Sequence, residues 1–514
     1  MDGSGNSWYH ADVGIKDGRI KAINNKDNAL GGRIIDAEGM IVAPGFIDIH
    51  SHSDYSILIE PEVHSKIRQG VTTEVIGNCG SSAAPMNQSL CVYREKYDKS
   101  QLGDDFEFNW GSMKEYLDLV RGKGISFNIV PLTGHGTLRQ NIIGNDNRAP
   151  TKLELKEMKE LLAQSLEEGA WGLSTGLIYT PNLYAKTDEI IELVRVLGEY
   201  DGLYTSHIRG EGDTLIKAVE EAITIGKETG VNVQISHFKA CGSRNWGKTE
   251  VTLRMIQDAR DQGIDVTFDQ YPYIASSTGL ASILPPWAHE GGAEKLLQRI
   301  RDPEIREKLR AEPTEEMEDW TRILIAHALN NPGYEGKTVQ EIATLEEKTP
   351  FDAMCDLLLA EDAQVMVILY EMCEEDVQRV MQDPNGMIGS DGRAMSPGGV
   401  FGKSKFHPRY YGTFPRVLGY YVRKGVISLQ EAVRKMTSAP AQRLGIKDRG
   451  LIKEGLMADI TIFDPNSVKD EATFIAPHRY ASGIPYVIVN GVVVIDKGEH
   501  TGVLPGKPLI KSNS

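Results

Sequence analysis

Residues 43–52 read APGFIDIHSH, and this stretch decides the fold. Residues 45–49, which are apolar except for Asp48, have the pattern of a strand that is buried on both faces, as in a parallel sheet. The run leads into His50 and His52, which are spaced i and i+2. On a strand this spacing puts both side chains on one face, where two imidazoles can share a metal ion. The stretch therefore predicts a parallel α/β fold with a metal site at a strand end.

Short apolar segments of the same kind recur along the chain, and helical patterns separate them. Amphipathic helices are predicted at 153–169, 187–202 and 213–230. Strands alternating with helices indicate βαβ units, and a TIM-type (β/α)8 barrel needs eight strands. There are nine candidates, so one is surplus, and AQVMVILY is our first choice for it. The candidates are GFIDIHSH (45–52), TTEVIGNCG (72–80), SFNIVPLTGH (126–135), AWGLSTG (170–176), LYTSHI (203–208), NVQISHF (232–238), DVTFDQYPY (265–273), AQVMVILY (363–370) and GMIGSDG (386–392).

The regions outside this alternation suggest two additions to the barrel. Residues 285–350 interrupt the strand spacing, and we interpret them as an insertion that forms a lid over the barrel mouth. The segments 10–23 and 458–502 are β-patterned, and their KDGR and VNGV sequences are typical of hairpin turns. The chain therefore predicts a small β-sandwich domain made from both ends (1–43 plus 447–514), with the catalytic barrel (44–446) between them.

Composition excludes several classes of partner. The chain has 514 residues and a net charge of −16, which argues against nucleic acid or an anionic membrane as a partner. No apolar run approaches the roughly 18 residues that a membrane span needs. The start of the chain lacks the features of a secretory signal, and five cysteines are too few for a disulfide framework. These observations predict a cytoplasmic protein.

Polar residues with metal-binding chemistry stand at the predicted strand ends. In a (β/α)8 barrel the active site lies at the carboxyl ends of the strands. Thiolate and imidazole ligands together suit zinc, and a carboxylate beside the metal can exchange protons with water. The other four cysteines are interpreted as buried filler. The predicted metal ligands are His50, His52, Cys79, His207, His237 and Asp391, and Asp391 is also the predicted catalytic residue.

Other catalytic motifs are absent from the sequence or lack the necessary context. The chain contains no Walker loop, no HExxH and no CxxC motif. GLSTG (172–176) superficially suggests a nucleophile elbow. Metal-type histidines occupy the neighbouring strands, so we reject that interpretation.

Long sequence blocks around these residues carry a family resemblance. From Met1 to about residue 506, the chain resembles the D-aminoacylase (N-acyl-D-amino-acid deacylase) family of the amidohydrolase superfamily. The blocks are PGFIDIHSHSD, GVTTEVIGNCG, GLSTGLIYTP, YTSHIRGEG, QISHFKACGSRNWGK, DQYPYIASSTGL, MIGSDG, HPRYYGTFPRVLG, KMTSAPAQRLGIKDRGLIKEGLMADITIFDP and GIPYVIVNG.

The resemblance implies a zinc hydrolase with a barrel and a small β domain. It implies a tightly held zinc on Cys79, His207 and His237, and a second, weaker metal position at His50 and His52 with Cys79 and Asp391 nearby. Many other amidohydrolases have a bridging lysine or glutamate on the fourth strand. Here that strand ends in LSTG, which supports Cys79 as the anionic ligand.

The resemblance also implies a substrate and a reaction. The substrate would be a small N-acyl-D-amino acid, whose amide bond is hydrolysed to a carboxylate and a D-amino acid by a zinc-activated water. Asp391 would act first as general base and then as general acid. The substrate carboxylate would be held by Tyr179, Lys239, Arg409 and a tyrosine of DQYPY, for which we choose Tyr271 over Tyr273.

Three alternatives remain open from the sequence. A D-amino-acid-releasing dipeptidase would use the same site. A cyclic-amide hydrolase of the dihydroorotase or hydantoinase type is disfavoured by the absence of the fourth-strand lysine. A non-enzymatic homologue is disfavoured because all six ligand positions are filled. The stretch 392–406 is longer than is usual in the family, and we expect it to influence substrate choice. The preferred side chain and acyl group and the oligomeric state are not predicted.

Overall fold

Eight parallel strands close into a barrel in the computed structural model, which describes residues 1–24, 32–97, 99–103 and 105–511. Neighbouring strands pair in parallel register. The barrel closes between its first and last strands, where Ser51 and Gly392 form a parallel bridge. The strands are Phe46–Asp48, Val71–Ile76, Asn128–Pro131 with its continuation Thr133–Gly134, Gly172–Gly176, Leu203–His207, Val233–Ile235, Val266–Gln270 and Gly386–Ile388.

The surplus strand of the sequence prediction lies outside this barrel. Met366–Leu369, from AQVMVILY, pairs antiparallel with Ser276–Gly279 and Ile323–His327 in a separate three-stranded sheet. The choice of AQVMVILY as the surplus strand is therefore confirmed. The remaining eight candidates each contribute one barrel strand.

The three helices predicted between barrel strands are present, at Lys152–Glu167, Thr187–Leu197 and Leu215–Thr229. The first begins with a reciprocal capping box between Thr151 and Glu154, and the third ends at Gly230, which has a φ of +69°. Further helices outside the insertion are Ser56–Ile59, His64–Ile67, Gln88–Tyr97, Lys99–Leu102, Met113–Lys123, His135–Ile142, Lys248–Asp261, Glu374–Gln382, Arg409–Arg416, Leu429–Met436 and Ser438–Leu444. Within the described ranges, none of the helices combines the length and the apolar character that a bilayer crossing demands.

The segment between the seventh and eighth barrel strands builds its own layer. Its three-stranded sheet packs with helices Ala293–Arg301, Pro303–Ala311, Val339–Leu345 and Pro350–Ala360 around a separate apolar cluster that runs from Leu280 to Leu369. This cluster extends beyond the predicted insertion (285–350) on both sides, because the strands that flank it belong to the same sheet. The lid role of this layer stays a prediction.

Both ends of the chain contribute to a small β domain. Ile41–Pro44 pairs antiparallel with Ile460–Phe463 in a five-stranded sheet. A hairpin of Asp12–Lys16 and Arg19–Asn24 packs its apolar side chains against this sheet, so two layers enclose a small core. The remaining strands of the sheet are Tyr486–Val489, Val492–Asp496 and Glu499–His500.

Both predicted hairpin turns of this domain are observed. Asp17 and Gly18 have φ values of +53° and +76°, and Asn490 and Gly491 have +50° and +80°. Positive φ at both central residues matches the right-handed twist of the flanking strands. The predicted domain limits (1–43 plus 447–514) stay a prediction, and residues 25–31 and 512–514 lie outside the described residues.

Candidate metal centre and active site

The carboxyl ends of the barrel strands surround a cavity of about 900 Å3. Strand ends supply the chemistry because each strand is buried along its length and leaves only its last side chains facing the opening. Of the ten predicted site residues, nine line the cavity, and the tenth, His50, lies directly beneath it. The nine are His52, Cys79, Tyr179, His207, His237, Lys239, Tyr271, Asp391 and Arg409.

Sulfur, nitrogen and oxygen donors converge at the floor of the cavity. One donor atom from each of His50, Cys79, His237 and Asp391 lies within 4.8 Å of the others. Cys79 Sγ is 3.3 Å from His50 Nε2 and 3.5 Å from His237 Nε2. His52 joins the group through Asp391, because its Nε2 lies 2.9 Å from Asp391 Oδ1. All of these side chains except His52 are nearly inaccessible to solvent.

His207 provides the strongest sign that the cluster holds a metal. Its imidazole is buried, yet neither ring nitrogen has a hydrogen-bond partner among the described residues. Its ring lies edge-on to that of His237, with 4.3 Å between the centroids. Buried polar groups are usually satisfied, so an imidazole with both nitrogens unpartnered beside Cys79 and His237 indicates a position for a ligand. A thiolate with imidazoles is a donor set that fits zinc.

The electrostatics favour a thiolate at Cys79 and a neutral ring at His207 but charged rings elsewhere in the cluster. Burial alone would raise the pKa of the Cys79 thiol, but the His50 and His237 imidazoles hold it well below its ordinary value. Burial and the charge of His237 lower the pKa of His207, which favours the neutral ring. Thiolate and neutral imidazole are the forms that ligate metals. Burial alone would lower the pKa values of His50, His52 and His237, but neighbouring carboxylates and Cys79 raise them, so metal binding releases protons from these three rings.

Three of these residues have strained backbones. Cys79, His237 and Asp391 have φ values of +52°, +35° and +48°. Each follows directly from a barrel strand, and the left-handed turn aims the side chain inward across the barrel mouth. Non-glycine residues in this region cost roughly 1–3 kcal/mol each and cluster at functional sites.

The predicted carboxylate clamp also gathers on one side of the cavity. Lys239 Nζ and Arg409 Cζ lie 5.6 Å and 4.8 Å from the centroid of the Tyr271 ring. The Tyr271 hydroxyl has no hydrogen-bond partner among the described residues, whereas the Tyr273 hydroxyl reaches the carbonyl of Pro408. The geometry thus favours Tyr271, which faces the cavity.

A family model described as "Amidohydrolase family" matches residues 33–495. D-aminoacylase of Alcaligenes xylosoxydans xylosoxydans is 35% identical over 513 residues, covering 100% of this chain and 96% of the relative. This chain belongs to the D-aminoacylase family of amidohydrolases.

Solved structures of the D-aminoacylase family share the whole fold. A D-aminoacylase crystal structure matches with a TM-score of 0.83 at 35% identity, covering 99% of this chain and 98% of that one. N-acyl-D-glutamate deacylase from Bordetella bronchiseptica, complexed with zinc and a phosphonate mimic of the tetrahedral intermediate, matches with a TM-score of 0.84 at 34% identity. That match covers 99% of this chain and 97% of the deacylase.

The GLSTG segment has a structural role in this family member. Ser174 donates a hydrogen bond to the Gly77 carbonyl and accepts one from the Gly80 amide, so it holds the turn that carries Cys79. A Cβ atom on Gly176 would lie 2.1 Å from the Cys79 carbonyl oxygen. Glycine is required there because the two backbones touch, and Ser174 is too enclosed to act as a nucleophile.

Two carboxylates that the sequence analysis did not identify support the site. Asp269 Oδ1 lies 3.0 Å from His50 Nδ1, and Glu211 Oε1 lies 2.9 Å from His237 Nδ1. A carboxylate on the remote ring nitrogen orients the imidazole and directs its other nitrogen to the metal. Glu211 Oε1 also accepts a hydrogen bond from Lys239 Nζ at 2.5 Å. Glu211 stands in RGEG, four residues after His207 at the end of the fifth barrel strand. This nearness to a strand-end histidine is the sequence feature that could have identified it.

A buried ion cluster lies below the metal centre. Lys66 Nζ is 2.7 Å from Asp48 Oδ2, 3.1 Å from Glu74 Oε1 and 2.5 Å from Ser390 Oγ. All four side chains are completely or almost completely buried. Asp48 Oδ1 accepts hydrogen bonds from the backbone amides of His50 and Ser390. One ammonium group thereby ties the first, second and last barrel strands together beneath the metal ligands.

We expect Lys66→Met to lower the free energy of unfolding by about 3–5 kcal/mol, because it leaves two buried carboxylates without their cation. Denaturant unfolding of the purified variant measures this change. Lys114→Met is the matched control, since Lys114 forms an ion pair with Asp118 on an exposed helix face. A Lys66→Met protein as stable as wild type would show that the cluster does not hold these strands.

The half-buried carboxyl group of Glu371 predicts a pH dependence of stability. Burial raises the pKa of Glu371 to about 7, against a hydrogen bond of 2.5 Å from Ser276 that favours the ionised form. Because this pKa is higher in the folded state than in the unfolded chain, the contribution to stability is present at acidic pH. It is lost as the pH rises through 7.

Glu371→Gln should therefore raise the melting temperature more at pH 8 than at pH 5.5, since the amide cannot ionise. Thermal unfolding of the two proteins across this range measures the difference. Glu375→Gln, which changes an exposed carboxylate on the following helix, should track the wild type. A constant difference between wild type and Glu371→Gln at all pH values would contradict the prediction.

Proposed function

We propose that this protein hydrolyses the amide bond of N-acyl-D-amino acids to a carboxylate and a free D-amino acid, with zinc as its cofactor. The observation that carries the proposal is the cluster of Cys79, imidazoles and Asp391, which faces a carboxylate clamp across one cavity. The relatives described above, D-aminoacylase and N-acyl-D-glutamate deacylase, are named for the same chemistry.

In this proposal Cys79, His207 and His237 hold the tighter zinc. His50 and His52 provide a second, weaker position together with Cys79 and Asp391. When bound, zinc supplies a Lewis acid that polarises an amide carbonyl and makes water more acidic. Asp269 and Glu211 keep the rings of His50 and His237 in the orientation that this binding needs.

Asp391 is the proposed proton carrier. Burial alone would raise its pKa, but Arg409 and the surrounding imidazoles hold that pKa well below the ordinary value. Arg409 Nη1 lies 2.8 Å from Asp391 Oδ2, while Oδ1 faces His52. The carboxylate is therefore ionised when water arrives, so it can accept the proton of the attacking water. It then delivers that proton to the departing amine nitrogen.

Lys239, Arg409 and the hydroxyls of Tyr271 and Tyr179 are proposed to bind the substrate carboxylate. Lys239 Nζ donates to Glu211 Oε1 and to the His237 carbonyl oxygen. Because His237 Nδ1 carries the proton that it shares with Glu211, the third N–H of the ammonium remains for substrate. An ammonium and a guanidinium together suit a carboxylate. Fixing the carboxylate here and the scissile carbonyl at the metal leaves one pocket for the side chain, which selects one enantiomer.

Two other substrate classes are alternatives to N-acyl-D-amino acids. A cyclic-amide hydrolase is disfavoured because the fourth strand ends in LSTG, with no lysine to bridge two metals. A D-amino-acid-releasing dipeptidase would use the same residues and differs only in the acyl group. We also propose a cytoplasmic location, because all five cysteines, each within the described ranges, are free thiols.

The deciding experiment is a substrate panel with the zinc-supplemented enzyme. It contains N-acetyl-D- and N-acetyl-L-amino acids, dipeptides with a carboxyl-terminal D-residue, dihydroorotate and hydantoins. We expect hydrolysis of the N-acetyl-D-amino acids and bound zinc by elemental analysis. Hydrolysis of L-substrates alone, or of cyclic amides alone, would overturn the proposal, and a protein without bound zinc would favour a non-enzymatic homologue.

Asp391→Asn should keep its zinc and lower kcat by roughly 10²- to 10⁴-fold, since it removes the proton carrier but leaves Cys79, His207 and His237 in place. Elemental analysis and steady-state kinetics measure the two effects separately. Asp356→Asn is a control that changes a carboxylate in the separate layer between the seventh and eighth barrel strands, where it pairs with Arg306 and Lys348. An Asp391→Asn enzyme with near-normal kcat would refute the role of Asp391.

A further inference from the structure

The cavity carries seven cationic side chains, and six of them are already engaged. Each of Arg209, Lys239, Arg244, Arg322 and Arg409 has a carboxylate oxygen within 3.0 Å. Arg94 lies over the Tyr55 ring and donates a hydrogen bond to Ser81. Arg393 differs, because it lines the cavity without an ion pair to any residue that the structure describes.

Arg393 is held firmly at the mouth of the site. It lies two residues after Asp391, and the next two amides are anchored: Ala394 N donates to Ser53 Oγ at 2.8 Å and Met395 N donates to Ser65 Oγ at 3.0 Å. Both hydrogen bonds are buried. On the preceding side, the Gly392 amide donates to Ser390 Oγ and the Gly392 carbonyl accepts from the His52 amide. The backbone on each side of Arg393 is therefore fixed, and the side chain starts from a defined position beside the proposed proton carrier.

The head group of Arg393 is partly desolvated without compensation. Its Nε is buried and has no hydrogen-bond partner among the described residues. Its Cζ lies 5.7 Å from the centroid of the Phe401 ring, which holds the guanidinium on one side of the opening. A positioned guanidinium with free N–H groups matches the planar, bidentate geometry of a carboxylate.

We propose that Arg393 forms a subsite for a second carboxylate of the substrate, separate from the α-carboxylate at Lys239 and Arg409. This inference rests on the proposed function. The second carboxylate belongs either to an acidic D-side chain, as in aspartate or glutamate, or to a dicarboxylic acyl group such as succinyl. The cavity of about 900 Å3 has room for either molecule.

The test measures kcat/KM for charged substrates relative to neutral ones of similar size. N-acetyl-D-glutamate and N-acetyl-D-aspartate are compared with N-acetyl-D-glutamine and N-acetyl-D-asparagine, and N-succinyl-D-leucine is compared with N-acetyl-D-leucine. We expect the wild type to prefer at least one charged member by roughly 10- to 100-fold, the range expected of a charge-assisted hydrogen bond. The preferred pair identifies whether the side chain or the acyl group carries the second charge.

Substitutions of Arg393 test whether this residue causes the preference for charged substrates. Arg393→Gln should reduce the charged-to-neutral ratio to about that of an enzyme without preference, and Arg393→Lys should retain part of it. Arg244→Gln is the matched control, because Arg244 also lines the cavity but is paired with Asp213 and Glu318. It should leave the wild-type ratio unchanged.

The outcomes separate this inference from the proposed function. Hydrolysis of neutral N-acyl-D-amino acids with no preference for the charged members, or with equal ratios in wild type and Arg393→Gln, overturns the Arg393 subsite alone. A wild-type enzyme that hydrolyses no N-acyl-D-amino acid overturns both proposals. If Arg393→Gln folds poorly, the ratio measured with Arg393→Lys and the binding of D-glutamate relative to D-glutamine by calorimetry decide the question in the same way.

Discussion

The structure depends on the closure of the barrel between its first and last strands. His50 and Asp391 are brought together at this seam, where the Asp391 amide donates to the His50 carbonyl at 2.8 Å. Directly below, Lys66 binds Asp48, Glu74 and Ser390, so one buried ammonium joins three strands. A buried charge is tolerated only when it is paired and hydrogen-bonded, and each of these groups therefore restricts the position of the others. The proposed metal ligands His50, Cys79 and Asp391 lie within three residues of the ends of these strands, so their positions are restricted in the same way.

The charged groups around Cys79 explain how a cysteine at the end of the second strand can be an anion. His50, His237 and the Asp391 carboxylate surround Cys79 where little solvent reaches, and the positive charge of His50 and His237 stabilises the Cys79 thiolate. The fourth strand has no ionisable side chain and instead supplies Ser174 and Gly176, which hold the Cys79 turn from behind. In the proposed site the anionic ligand thus comes from the second strand, and the fourth strand supports the turn that carries it. This exchange of roles is consistent with membership of the D-aminoacylase family.

The periphery of the site is organised by pairs of opposite charge rather than by free charges. Glu211 serves both His237 and Lys239, and Arg409 serves both Asp391 and the proposed clamp. The proposed metal site and the proposed carboxylate clamp therefore share side-chain partners. Arg393 stands apart from these pairs, which is why its position at the cavity mouth carries information about the substrate. The layer built from Leu280 to Leu369 contributes the opposite wall of the same cavity.

The sequence by itself determined the barrel strands, the three helices between them, both hairpin turns and the residue types at the strand ends. These features are encoded locally, since hydrophobic periodicity and turn chemistry depend on neighbouring residues. Tertiary structure alone decided that Ser276–Gly279 and Met366–Leu369 share a sheet, that Glu211 pairs with His237, and that Lys66 lies beneath the site. It also decided that Tyr271 faces the cavity and Tyr273 does not. These contacts join residues distant in the chain, and a local pattern reports which face a side chain occupies but not which remote group it meets.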